Sequence, residues 1–163
     1  MAKSRRYKIH QRILSIGDDF WIEDDDGQKA FKVDGKALSI RKTLILEDAA
    51  GQTLCSIQER MLRLKDTMEI EDPDGKRIAL VKKALIAPFR DRWVVKIRNG
   101  PDLMVQGNLL DHEYDIKHGL RKVAEVSKKW FRLTDIYGVE VDADQEDGLI
   151  LAVAIAIDIM AHD

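Results

Sequence analysis

The sequence has only one cysteine and three prolines among its 163 residues. The single cysteine, Cys55, excludes an intramolecular disulfide and is typical of a reducing compartment. The scarcity of proline and the lack of low-complexity tracts argue against long disordered segments. Residues 1–6 are basic but no apolar stretch follows them, so we expect no secretory signal and a cytoplasmic protein.

Catalytic motifs are lacking as well. The sequence contains no Gly-x-Ser-x-Gly, no phosphate-binding P-loop, no Gly-x-Gly-x-x-Gly and no His-Glu-x-x-His. Cys55 stands in a predicted strand with no histidine nearby, so we interpret it as a core or wall residue rather than a nucleophile. We therefore expect a protein that is not an enzyme and needs no cofactor.

Two groups of residues have the composition of metal sites but not the spacing. The first is His112, Glu113, Asp115 and His118. On one extended strand its two histidines would lie about 20 Å apart, so we interpret these as solvated loop residues. The second is Asp-Asp-Asp-Gly at 24–27, which lacks the spacing and the closing glutamate of an EF-hand and is interpreted as a turn.

Turns rich in aspartate, asparagine and glycine recur between short stretches of alternating polar and apolar residues. They lie at 24–27, 48–51, 72–75, 99–102 and 118–119, with glycine where a hairpin needs a positive φ. The turns at 48–51 and 72–75 have similar flanks and indicate a repeated hairpin unit. About a dozen short strands predict one antiparallel sandwich or barrel domain over residues 1–163, and a closed barrel would leave no sheet edge exposed.

One long apolar stretch lies at residues 149–157. It is too short to cross a bilayer, which takes about 20 apolar residues, so we expect it in the core. Local pattern leaves two structures open. Preceding acids and internal alanines favour a helix from about residue 144, whereas β-branched residues alternating with alanine favour a strand. In a helix, Asp158 should lie near a barrel mouth or meet a partner, such as His162 or a wall lysine or arginine.

Opposite charges are segregated along the chain, although the net charge is only −2. Residues 1–12 carry five Lys/Arg and no acid, and residues 76–98 carry eight Lys/Arg against Asp91 alone. Residues 133–163 carry eight acids and no Lys/Arg. Such blocks are usual on solvated faces, and they also offer a basic face to an anionic partner. The overall charge argues against nucleic acid as that partner.

The basic residues concentrate on one predicted strand, residues 90–98. Alternation places Trp93, Val95 and Ile97 on its inner face. The candidate anion-binding residues are Arg90, Arg92, Lys96 and Arg98 on its outer face, then Lys82 and Lys83, with Arg5, Arg6 and Lys8 as further contributors. The pattern is consistent with a site for phosphorylated lipid headgroups or another polyanion. The more ordinary interpretation is a charged outer wall that keeps a barrel soluble.

Three segments near the carboxyl end carry a family resemblance. They are Val-Ala-Glu-Val-Ser-Lys-Lys-Trp-Phe at 123–131, Asp-Ile-Tyr-Gly-Val at 135–139, and the apolar stretch ending Ala-Ile-Asp at 156–158. Their order and spacing resemble the LURP-one-related family, which belongs with tubby C-terminal domains and phospholipid scramblases. The resemblance implies a mainly β (α+β) fold, a closed antiparallel β-barrel of about twelve strands around a central hydrophobic C-terminal helix. It thus implies that residues 149–157 are helical.

The same resemblance implies a function. Tubby domains bind phosphoinositides, scramblases are associated with membranes and calcium, and plant LURP-one-related proteins are linked to pathogen defence. We therefore expect a binding module for anionic membrane phospholipid, peripheral at a membrane. The alternative is a protein-interaction or structural domain with no lipid role.

Calcium is the other ligand that the resemblance brings into question. The scramblase calcium segment corresponds to the region from Asp135 to Asp144, where these two residues are acidic counterparts. The chain is shorter than that segment between Asp135 and Tyr137, which argues against a calcium site. We therefore expect no bound metal.

Overall fold

A computed structural model of the chain describes residues 3–10, 19–35, 43–59, 67–87, 90–131 and 136–161, with only the backbone described at 59, 84–87 and 90–92. These residues form twelve strands and one helix. In chain order the elements are β1 (Arg5–His10), β2 (Phe20–Asp24), β3 (Lys29–Asp34), β4 (Thr43–Asp48), β5 (Thr53–Glu59), β6 (Thr67–Glu71), β7 (Arg77–Ala87), β8 (Arg90–Ile97), β9 (Leu103–Asn108), β10 (Glu113–His118), β11 (Arg121–Ser127), β12 (Ile136–Val141) and α1 (Asp147–Ala161).

The strands form one closed antiparallel barrel in which each strand pairs with its neighbours in the sequence. The barrel closes where β1 pairs with β12, from Arg5 opposite Val141 to His10 opposite Ile136. Every described strand therefore has a partner on both sides, which removes the aggregation-prone edges of an open sheet. The predicted mainly β barrel of about twelve strands is confirmed.

Three hairpins, β2–β3, β4–β5 and β6–β7, are built on one turn that recurs every 24 residues. Asp24, Asp48 or Asp72 opens each turn, and its Oδ1 accepts hydrogen bonds of 2.9–3.0 Å from the N–H groups two and four residues later. The glycine that closes each turn has a φ between 79° and 87°, which side chains disfavour. A β-bulge lies at the same place in each hairpin. The Asp-Asp-Asp-Gly stretch is thus one copy of a threefold repeated turn.

The helix α1 fills the barrel. Its residues 150–159 are all buried, and all of them except Asp158 form one hydrophobic cluster with inward wall side chains such as Ile9, Ile22 and Val95. The barrel explains why this stretch is a helix rather than a strand. Its strands are already paired, so a segment inside it must satisfy its own backbone hydrogen bonds. Among the described residues, no helix combines the length and the apolarity needed to cross a bilayer.

The amino end of the helix is tied to β1. Arg5 Nε donates to the Asp147 carboxylate at 2.8 Å, and the guanidinium also donates to the backbone carbonyls of Ala143 and Gln145. Tyr7 donates its hydroxyl hydrogen to the same carboxylate. Burial, and then this hydrogen bond, raises the pKa of Tyr7 well above its ordinary value. Arg5 therefore positions the helix, which is a different role from the expected contribution to a basic face.

Candidate functional site: a basic groove on the outer wall

Strand β8 separates apolar and basic side chains onto opposite faces of the wall. Trp93 and Val95 point into the barrel and are 3% and 0% exposed, whereas Lys96 and Arg98 are exposed on the outside. Arg90 and Arg92 lie in β8 with their backbones opposite Ala87 and Ala84 of β7, and their side chains are outside the described part of the structure.

The neighbouring strand β7 adds one of its two central lysines to this outer face. Val81 is buried, so alternation directs Lys82 outward, where it pairs in register with Val94. Lys83 has the opposite phase and lies across from buried Trp93. Lys82 and Lys83 therefore belong to opposite faces of the wall. The other expected contributors, Arg6 and Lys8, lie on β1, which is separated from β8 by β9 to β12 in one direction and by β2 to β7 in the other.

The outer faces of β7 and β8 enclose a groove of about 310 Å³. Three basic side chains line it: Arg77, Lys96 and Arg98. Its remaining lining is apolar and includes Ile78 and Leu80. Arginine presents a planar fork of donors that matches phosphate and carboxylate oxygens, so the groove combines anion recognition with an apolar floor.

Arg77 was absent from the set of candidates chosen from the sequence. It shares the parity of Ala79 and Val81, which point inward, so simple alternation assigns it to the core side. A β-bulge shifts the register between β6 and β7, so that Arg77 pairs with Glu71 while Ala79 pairs with Ile70. The bulge turns Arg77 outward. The sequence signal for this lies in the repeated turn, because the bulge occupies the same place in all three hairpins.

Two carboxylates on the β6 side accompany the arginines of the groove. Arg77 Nη1 lies 3.5 Å from Glu69 Oε1, and Arg98 Nη2 lies 3.8 Å from Asp72 Oδ2. The two arginine side chains are 49% and 46% exposed, so these long ion pairs add little to stability. Lys96 makes no ion pair with any residue in the described part of the chain, which leaves the groove with net positive charge.

A second polar group lies inside the barrel, at the carboxyl end of the helix. Asp158 is 3% exposed, and its Oδ1 lies 2.6 Å from His112 Nε2. The Tyr137 hydroxyl donates to Oδ2 over 3.5 Å, and the Tyr137 ring stacks on His112 with centroids 4.3 Å apart. The prediction that Asp158 meets a partner is confirmed. His112 is one such partner, and the other candidate, His162, lies outside the described residues.

The interpretation of His112 as a solvated loop residue is wrong. His112 precedes β10 and has a φ of 55°, a left-handed conformation that turns its side chain into the barrel, where it is 3% exposed. His118 is exposed at the other end of β10, and Glu113 accepts hydrogen bonds from the Ser127 hydroxyl and the Lys128 N–H. The four residues do not converge, and within the described ranges no group of three His, Cys, Asp or Glu could hold a metal ion.

Buried tyrosines surround this pair. Burial raises the pKa values of Tyr114 and Tyr137 well above 10, and the negative charge of Asp158 raises both further. Both phenols therefore stay protonated at any physiological pH. The Tyr114 hydroxyl and Trp93 Nε1 are buried donors without a hydrogen-bond partner in the described part of the chain. The cluster as a whole accommodates a carboxylate in an apolar core.

Of the two residues considered for calcium, Asp135 and Asp144, the structure describes Asp144. Asp135 lies outside the described residues. Asp144 and Asp142 both accept hydrogen bonds from Arg121 Nη2, and the hydrogen bond to Arg121 lowers the pKa of Asp144. The Asp142 and Asp144 carboxylates are thus paired with one guanidinium group.

Trp130 and Phe131 pack on the outside of β12, over Gly138. A Cβ atom at Gly138 would fall 2.6 Å from Trp130 Cε3 and 2.8 Å from Phe131 Cε2. The Arg6 guanidinium lies 4.3 Å from the centre of the Trp130 ring, and Lys8 Nζ lies 5.0 Å from that of Phe131. Glycine at this position is therefore what lets the aromatic pair cover the β1–β12 seam that closes the barrel.

Gly138→Ala should destabilise the protein by about 1–3 kcal/mol, because the new methyl group forces the aromatic pair off the strand. Urea unfolding followed by tryptophan fluorescence measures the change. Gly148→Ala is the matched control, since its Cβ would meet only the flexible Leu54 Cδ1 at 3.3 Å and alanine favours the helix by up to about 1 kcal/mol. Equal effects of the two substitutions would contradict the steric role of Gly138.

Comparison with known proteins gives two findings. The family model described as LURP-one-related matches residues 5–158. Among solved structures, the chain is similar to the X-ray structure of a protein from Arabidopsis thaliana, with a TM-score of 0.70 and 17% sequence identity over 99% of this chain and 93% of that one. At that identity the likeness shows the fold alone. The sequence matches none of the curated proteins.

Proposed function

Because the chain belongs to the LURP-one-related family, we propose that it is a non-enzymatic module that binds anionic membrane phospholipid, with phosphoinositide-like headgroups, through the outer wall of β7 and β8. The groove lined by Arg77, Lys96 and Arg98 is the observation that supports this proposal. Its guanidinium groups suit phosphate oxygens, and its apolar floor suits the glycerol and acyl region of a lipid. Binding would place the protein peripherally at a membrane.

Charge elsewhere on the barrel supports this orientation. The acidic carboxyl-terminal block would repel an anionic surface, but several of its carboxylates have partners within the protein. Asp147 pairs with Arg5, Asp142 and Asp144 pair with Arg121, and Asp158 is buried against His112. The β7–β8 wall thus keeps its positive charge close to a bound membrane, within the screening length of about 8–10 Å at physiological salt.

Replacing Arg77, Lys96 and Arg98 with serine should weaken binding to vesicles of phosphatidylcholine and phosphatidylinositol bisphosphate. Each basic residue near an anionic bilayer contributes about 1 kcal/mol, so the triple variant should bind roughly a hundredfold more weakly. Co-sedimentation at low and high salt measures this. Binding of the wild type should fade as salt shortens the screening length. The fold should persist, because the inner face of β8 is unchanged.

The control replaces Lys117, Lys122 and Lys129 with serine, which removes the same charge from the β10–β11 side of the barrel. Equal loss in both variants, or a wild type that ignores the vesicles at low salt, would refute lipid binding by the groove. A protein-interaction module without a lipid role would then be the better description. The fully exposed Leu120, at the tip of the β10–β11 hairpin, is the observation that favours this alternative.

A further inference from the structure

We propose that Glu69 and Asp72 compete with anionic ligands for the arginines of the basic groove. Phosphomonoester headgroups displace the two carboxylates from these arginines, whereas phosphodiester headgroups do not. The inference rests on the proposed lipid function and names the residues that would set its selectivity. The two carboxylates lie beside the groove, on the β6 side, and each faces one of its arginines.

The geometry of the ion pairs suits displacement. Both distances, 3.5 Å from Arg77 to Glu69 and 3.8 Å from Arg98 to Asp72, are at the outer limit of an ion pair. The carboxylate side chains are more buried than those of the arginines. They are 17% and 23% exposed, while the arginines are 49% and 46% exposed. A ligand arriving from solvent therefore meets the arginines first, and the arginines are the partners that can move.

Asp72 is held in place whether or not a ligand is bound. Its Oδ1 accepts hydrogen bonds from the backbone N–H groups of Asp74 and Lys76, which leaves Oδ2 directed at Arg98. Glu69 lies on β6 directly opposite Leu80, a residue of the groove lining. The negative charge of both residues is thus fixed at one side of the groove. It repels any anion that cannot replace the carboxylates as partners of the arginines.

Charge decides which anions can replace these carboxylates. A phosphodiester carries one negative charge, as a carboxylate does. An arginine that exchanges its carboxylate partner for a phosphodiester therefore gains little binding free energy. A phosphomonoester carries about −1.5 to −2 at pH 7 and has three acceptor oxygens, so it can engage both guanidinium groups together. Lys96, exposed and opposite Leu80 in the groove lining, supplies a third positive charge. The arrangement favours a terminal phosphate over a diester of equal surface density.

The test replaces both competitors by their amides, Glu69→Gln with Asp72→Asn, which keeps the Oδ1 acceptor of the turn. Binding is measured on phosphatidylcholine vesicles that carry either phosphatidylinositol 4-phosphate or phosphatidylserine, matched in total lipid charge. Wild type should prefer the phosphomonoester. The double variant should gain about fivefold to tenfold on phosphatidylserine, with a smaller gain on the phosphomonoester, so that the preference shrinks.

The repeated turn supplies a matched control, Glu47→Gln with Asp48→Asn. This variant loses two carboxylate charges and makes the same aspartate-to-asparagine change in the equivalent turn, but Thr53 stands where the groove hairpin has Arg77. A general effect of net charge would raise binding equally in both variants and would overturn the inference while leaving the proposed function intact. If the wild type and both variants ignore every vesicle, the proposed function fails with it. Soluble glycerol 3-phosphate bound as tightly as the vesicles would overturn the assignment to a lipid.

Discussion

Replacing His112 with alanine should destabilise the protein by about 3–5 kcal/mol, because it removes a close hydrogen-bond partner from a buried carboxylate. The 2.6 Å contact to His112 is the shorter of the two hydrogen bonds described for Asp158, and both side chains are about 3% exposed. The histidine ring also stacks on Tyr137, so its removal opens a cavity. Urea unfolding monitored by circular dichroism gives the free energy.

His118→Ala is the control for this variant, because His118 is exposed at the other end of β10 and its loss should change stability by less than about 0.5 kcal/mol. The double variant His112→Phe with Asp158→Leu should recover much of the loss, since apolar residues of similar size commonly replace a buried pair without penalty. A double-mutant cycle compares the changes in unfolding free energy of the two single variants and the double variant. If the two single changes simply add, His112 and Asp158 are not coupled, which would contradict this account.

The second large effect is expected from the centre of the helix. Leu151→Ala should cost about 2–5 kcal/mol, near the upper end, because paired strands on all sides prevent the wall from collapsing into the cavity. Leu151 is fully buried. Since domains of this size are stable by about 5–15 kcal/mol, the loss should lower the thermal midpoint by several degrees, which calorimetry measures.

Leu120→Ala makes the same chemical change at a fully exposed position, at the β10–β11 tip. Its effect should stay within about 0.5 kcal/mol. Comparable losses at the two leucines would mean that the helix is not the organising core of the barrel.

Local sequence features were sufficient to predict the hairpins, because each depends on a few adjacent residues. Aspartate caps its own turn through hydrogen bonds two and four residues away, and glycine supplies the positive φ. The helix could not be assigned in this way, since alternating isoleucine and alanine suits a strand as well. The barrel around it decides the matter, and family resemblance supplied that information.

The residues that sequence reasoning misplaced depend on structure at a distance or on a shifted register. The partner of His112 lies 46 positions away, and its own left-handed backbone breaks the extended spacing that was assumed. A bulge reverses the facing of Arg77, and Lys83 shares a sequence block with Lys82 but not a face. Composition locates a charged block, whereas the register of paired strands determines which of its members meet.

The order of elements along the chain also constrains how the protein is made. The seam between β1 and β12 joins the first strand to the last, and α1 is synthesised after all the strands of the barrel that surrounds it. A growing chain on the ribosome therefore exposes the core-facing apolar side chains of eleven strands before β12 can close the seam and α1 can pack inside. Barrels that close by long-range strand pairing fold slowly, and their folding intermediates are prone to aggregation. Nascent copies are consequently vulnerable to aggregation until the seam closes and the helix packs inside.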